Sequence, residues 1–302
     1  MNNKRRLFST LLCVAALTAG LFVSGCGSDK AGGIGSVVSS VVDGGSDEKA
    51  AAKLNTLIDA TNRFNGDNAT WGQNYADSLA KLKGGFQEGA IGRQPHYDTL
   101  KEALEQSKKE GSTFKEVDTE RDNVLNVLNE LVPTFKDLKA YDDSKAYMND
   151  GGAKGKELAA KYVAQVEKFD AAYAKFSDAL NKANTEQTKK QIEKLKKDGK
   201  KGYAAAMEST LRLTTLVENV EKAPKNADKQ AVEKELNEIQ TLLKSINNDR
   251  GEVLVNSYNS VVGSVRQVLN DANENNLNDM IENFNNYIES YNNTTPDQFD
   301  SK

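Results

Sequence analysis

The chain has 302 residues, of which 28 % are charged and 38 % hydrophobic, and its 44 acids outweigh 40 bases to leave a net charge of -4. An acidic balance argues against a nucleic-acid partner, whose electrostatic footprint is basic. Four prolines and 7 % aromatic residues argue against a sheet protein and fit a helical one.

The N-terminus opens with Lys4, Arg5 and Arg6, followed by an apolar run from Leu7 to Phe22 and then Val23-Ser24-Gly25-Cys26. A basic start, a short apolar stretch and small residues before a cleavage point form the layout of a secretory signal. The run is short for a membrane-spanning helix, which needs about 20 apolar residues. The Val-Ser-Gly-Cys ending resembles the bacterial lipobox, in which the cysteine is diacylated and the leader is cut on its amino side. Residues 1–25 are therefore expected to be a lipoprotein signal peptide and Cys26 the lipid-attachment site. Of the two cysteines, cleavage discards Cys13 and lipid consumes Cys26, so the expected mature protein has no thiol left to pair. Loss of three bases takes that mature chain to -7.

Residues 26–46, rich in Gly and Ser after the cysteine, read as a flexible tether reaching roughly 25 Å on average. From Asp47 the apolar spacing turns helical, beginning with Leu54, Leu57, Ile58 and Thr61. Steps of three and four recur in Val124, Leu128, Leu131, Phe135 and Leu138, and in Leu158, Tyr162, Val166, Phe169, Tyr173, Phe176 and Leu180. They return in the stripes starting at Leu236, Leu254 and Leu277. Charged and amide residues flank each stripe, so each helix is expected to bury one face. The fold class expected is all-α, an elongated antiparallel bundle of about six to eight helices over residues 47–293.

Breaks are expected where Gly and Pro cluster: Lys83 to Pro95, the Gly151-Gly152-Gly155 corner, Gly199 to Gly202, Pro224, and Asn247 to Gly251. Pro133 falls inside a good stripe and is expected to kink that helix rather than split it. Residues 294–302 read as a disordered tail. Leu54-Asn55, Leu57-Ile58-Asp59 is echoed by Leu277-Asn278, Met280-Ile281-Glu282. No regular 30- to 50-residue period accompanies that echo, which two amphipathic helices produce by chance.

The chemistry-bearing residues do not assemble into a reaction. His96 is the sole histidine, with Thr99 rather than an acid three residues on, and it reads as a solvent-facing loop residue. Zinc sites draw on several His or Cys ligands, so neither metal nor cofactor is expected. Adjacent acids such as Asp142-Asp143 point in different directions on a helix and do not define a hydrolase pair. The run Lys189 to Lys201 is the densest charge feature. Its first reading is a solvated helix end with Glu193 and Asp198 interleaved; its functional reading is contact with anionic headgroups. Trp71 and Tyr75, one turn apart, read as core before they read as a ligand groove.

The segment Tyr141-Asp142-Asp143-Ser144-Lys145-Ala146-Tyr147-Met148-Asn149-Asp150, followed by Lys154-Gly155-Lys156-Glu157-Leu158, resembles the central motif of the YiiG-like bacterial lipoproteins. Leu54, Asn55 and Ile58 are similar to that family's opening helix, and Asn285 to Asn292 to its Asn/Tyr-rich close. The resemblance implies a helical envelope lipoprotein with a domain of unknown function, and no activity or catalytic residue. Physically, Tyr141, Lys145 and Asp150 lie at a helix end, where they are expected to satisfy open carbonyls and brace the turn; a ligand-binding role is the second choice.

The expected function is thus non-enzymatic: an envelope protein held to a membrane by N-terminal lipid, binding a partner protein or cell-wall component, or structural. A small-solute-binding helical module is the alternative, and an enzyme of unrecognised type comes third. Gly27 in place of Asp after the cysteine permits sorting to the periplasmic face of an outer membrane. The same anchor serves on the outer face of a single cell membrane.

Overall fold

The computed structural model describes residues 46–92, 94–111 and 114–301. The leader, Cys26 and the tether expected at 1–45 lie outside the described residues. Those described are helical with no strand. Eight helices have thirteen or more residues: α1 (Ser46–Lys83), α2 (Tyr97–Lys109), α3 (Lys115–Asp143), α5 (Ala153–Lys197), α6 (Lys201–Lys222), α7 (Lys229–Lys244), α8 (Asp249–Asn270) and α9 (Glu274–Asn292). Single turns form α4 (Tyr147–Asp150) and α10 (Pro296–Phe299). None of the described helices is long and apolar enough to cross a membrane.

The helical stretch expected over 47–293 forms two compact units, 46–183 and 184–301. Their boundary falls inside α5, between Ala183 and Asn184, where neither Gly nor Pro marks it.

The first unit is an up-down-up-down set of α1, α2, α3 and the first part of α5. Its register is visible in side-chain pairs. Lys53 Nζ donates to the Glu110 carbonyl while Tyr75 meets Tyr97, so α1 and α2 run oppositely. Lys108 pairs with Asp122 and Asp98 with Lys136, reversing α2 against α3. Glu116 meets Lys182 and Phe135 meets Tyr162, reversing α3 against α5. Rings fill the core: Phe64 stands edge-on to Phe169 and Tyr173, with centroids 5.7 and 5.3 Å apart, and Phe169 stacks on Tyr173 at 5.2 Å. Each such side chain contributes about 1.5–3 kcal/mol by burial. As expected, α3 stays one helix through Pro133.

In the second unit α6 is buried over most of its circumference and packs against α7, α8, α9 and α10. Ala204, Ala205, Ala206, Ser209 and Thr210 keep that helix narrow enough to be surrounded. Its hydroxyls turn inward on the helix itself: Ser209 donates to the Ala205 carbonyl at 2.7 Å and Thr210 to that of Ala206 at 2.8 Å. The starts of α7, α8 and α9 carry side-chain caps. Asp228 accepts from Gln230 N at 2.9 Å, Asn248 from Arg250 N and Gly251 N at 3.1 Å, and Asn273 from Asn276 N at 2.9 Å.

The residues expected to form a disordered tail, 294–302, are instead folded over the described stretch to Ser301. Thr295 N donates to Gln298 Oε1 at 2.9 Å, and Pro296 opens α10. Phe299 is buried between Tyr203 and Tyr291, with both ring centroids 5.9 Å away. Asp300 accepts from Gly202 N at 2.6 Å, and Asn248 Nδ2 donates to the carbonyls of Gln298, Phe299 and Ser301. The approach is so close that a Cβ on Gly202 would lie 2.0 Å from the Phe299 oxygen. The echoed sequences fall on α1, the first helix of one unit, and on α9 of the other, which only the single turn α10 follows.

Candidate functional site

The central motif forms the corner between α3 and α5. α3 ends at Asp143, Lys145 adopts a left-handed φ of 54°, α4 makes one turn, and Gly151 and Gly152 turn again with φ of 62° and 84° before α5. Left-handed backbone is unfavourable for a lysine, and it holds only where the surroundings fix it. At Lys145 two backbone bonds close the end of α3, Lys145 N to the Asp142 carbonyl at 2.9 Å and Ala146 N to the Tyr141 carbonyl at 3.1 Å, and Asp150 ties the following turn. Tyr141, buried near the end of α3, donates its hydroxyl to Asp150 Oδ1 at 2.6 Å. The same carboxylate accepts from Gly152 N at 2.9 Å and Lys154 N at 3.2 Å.

Tyr141 and Asp150 therefore brace the corner as expected, but the open groups they satisfy are amides at the start of α5 and not carbonyls at the end of α3. The reason is polarity: a carboxylate accepts, so it serves a helix start, where N–H groups are free. The Tyr141 hydroxyl and these amides hold Asp150 below its ordinary range. Burial and the neighbouring carboxylate push Tyr141 up. Lys145 contributes backbone alone: its amide donates to the Asp142 carbonyl at 2.9 Å, and its side chain is exposed.

The Gly-rich loop between α1 and α2 closes over this corner. Phe86 stands edge-on to Tyr141 at 5.2 Å and tilted against Tyr147 at 5.8 Å. A Cβ on Gly155 would come within 2.6 Å of both the Phe86 and Tyr141 rings, so this position has room for hydrogen alone. Tyr147 bonds Glu88, which pushes its hydroxyl up to about 12. Met148, beside it, is 75 % exposed. Sequence reasoning missed Phe86 and Glu88. Their signal was an aromatic residue stranded between Gly85 and Gly89, where a loop has no stripe to supply.

Deeper in the first unit, the Tyr75 and Tyr97 hydroxyls lie 2.9 Å apart and Tyr162 donates to Gln94. Ser78 Oγ donates to the Ala90 carbonyl at 2.7 Å and receives Gly92 N at 2.9 Å, tying the loop to α1. Tyr75 is thus core, as expected; the side chain of Trp71 lies outside the described ones. Asp170 is partly buried near these rings. Burial raises its carboxyl to about 6, with Lys83 pulling it back and Glu167 adding to the rise.

His96 is exposed and immediately precedes α2, making no side-chain cap bond. Among the described residues no three His, Cys, Asp or Glu side chains gather as a metal site would require. The lysine run spans the end of α5 and the start of α6. Lys196 pairs with Glu193 at 3.3 Å and Glu208 at 2.9 Å, and Lys200 with Asp297 at 3.4 Å.

The architecture defines an all-α protein built of two helical units, with a conformationally fixed corner in the first. Residues 48–278 match the family described as "Protein of unknown function (DUF3829)", and the chain belongs to that family. The matched stretch contains the whole corner and every helix from α2 to α8. No curated protein and no solved structure matches the chain.

Proposed function

We propose that the protein is a lipid-anchored lipoprotein of the bacterial cell envelope that binds a partner protein or cell-wall component, or acts structurally, and catalyses no reaction. The observation that carries this is Cys26, placed where a basic and apolar leader ends and a Gly/Ser-rich stretch begins. The YiiG-like character of residues 141–158 supports the envelope assignment. The polar groups of that corner bind one another, which supports bracing over chemistry.

Replacing Cys26 by Ser tests the anchor. Fatty-acid labelling and membrane fractionation should both be lost in the variant; equal labelling of the two chains would sink the proposal. Turnover of any substrate that disappears in His96→Ala would overturn the non-enzymatic part. A second reading, a helical module for a small solute, is favoured by Gln165 Oε1 and Ser177 Oγ, buried atoms without a hydrogen-bond partner among the described residues. Stabilisation by a member of a metabolite library, lost in Gln165→Leu, would select it over partner binding.

A further inference from the structure

The lysine run is more than a solvated helix end. Residues 189–201 hold seven lysines against Glu193 and Asp198, a charge of +5 in a chain whose remainder is therefore -9. Lys190, Lys194 and Lys197 follow one another at steps of four and three on α5, a single ridge about 10 Å long by helical rise. All three are exposed and make no ion pair with a described residue, and the same is true of Lys189 and Lys201. The buried face of this part of α5 is carried by Asn184, Thr188 and Ile192, so the ridge points away from its own unit.

Local stability accounts for part of this charge only. Cations in a helix's last turn oppose its dipole favourably, which covers Lys194, Lys196 and Lys197. Lys189 and Lys190 lie too far from that end to benefit. Lys201 opens α6, where the dipole disfavours a cation. Asp198 and Glu193 are already counted in the +5, and the acids brought in from elsewhere are engaged: Glu208 with Lys196, Asp297 with Lys200, and Asp300 with the amide of Gly202. The surplus is thus left facing solvent.

We infer that this ridge is a docking surface for the anionic phospholipid headgroups of a bilayer. The complement is one of charge: closely stepped, unpaired ammonium groups match a plane of phosphates, and an otherwise acidic chain turns this dense cationic face toward it. The inference rests on the proposed anchor only for bringing the bilayer close; the contact itself needs no lipid on Cys26.

The test uses the unlipidated chain from Cys26 on, carrying Cys26→Ser, and sedimentation with vesicles of phosphatidylcholine with or without phosphatidylglycerol. Binding should require phosphatidylglycerol and weaken with added salt. Changing Lys190, Lys194, Lys197 and Lys201 together to Gln should lower partitioning about a thousandfold. Changing Lys161, Lys168 and Lys175, exposed on the same helix in the first unit, should leave it within about threefold. Equal binding to neutral vesicles, or no loss in the ridge variant, overturns the inference. So does retention on isolated cell walls without vesicle binding. Because lipidation is absent throughout, failure of the Cys26 anchor appears in the labelling experiment and not here.

Discussion

The two units reach the same up-and-down helical solution by different means. In the first, α2 and α3 begin at His96 and Phe114 without a side-chain cap bond, and order comes from rings and glycines: Phe64 against Phe169 and Tyr173, Phe86 against Gly155. In the second, α7, α8 and α9 each start on an Asp or Asn cap, and the first half of the central helix is rich in buried Ala, Ser and Thr. Steric fit thus sets the geometry where side chains are large. Where they are small, hydrogen bonds at helix ends set it, because small cores slide more easily.

The contrast is most exposed at Asn248, which caps α8 and also donates to three carbonyls of the C-terminal turn. Asn248→Ala should destabilise the protein by about 3 kcal/mol in urea denaturation, and Asn248→Asp, which keeps the cap, by about half as much. A cost equal to that of an ordinary surface substitution would break the comparison.

Next in size is a pH effect confined to the first unit. Asp170 is raised in the folded state from 3.8 to about 6. Its contribution to stability is complete below the unfolded value and is lost as pH rises through the folded one. Between about pH 4 and pH 7 this should remove about 2 kcal/mol after allowance for partial exposure. Urea midpoints across that window should fall for the wild type and stay flatter in Asp170→Asn; parallel curves would remove Asp170 from the account. Smallest is Tyr173→Phe, which keeps the ring and loses the bond from its hydroxyl to Asn65 Oδ1 at 3.0 Å. If fit dominates the first unit, thermal denaturation should show a loss of about 1 kcal/mol or less.

Much of the fold was legible because buried stripes on long helices repeat often enough to outweigh local noise: Tyr162 through Leu180 is read directly from its spacing. The division into two units was not legible, because it falls mid-helix at Ala183, where the chain's local preferences do not change. The C-terminal turn was legible and overlooked: Thr295-Pro296-Asp297-Gln298 carries a cap, a proline at the first helical position and a glutamine at the third. At the corner, the identities of Tyr141 and Asp150 were readable. Their partner Phe86 was not, since it arrives from 55 residues away in sequence, and no periodicity links a loop to a distant helix. Cys26 stays a matter of sequence alone.

The helix α7 buries only Leu236, Ile239 and Leu243, a thin apolar face for sixteen residues. It is also clasped from both sides, Arg212 gripping Glu235 with two bonds of 2.7 Å and Arg266 gripping Glu233 at 2.8 and 2.7 Å. Stripping water from such charges becomes less costly on heating, while apolar attraction levels off. The clasps therefore gain relative weight with temperature, and α7 should keep its place in a warm cell where its small greasy face alone would let it peel away.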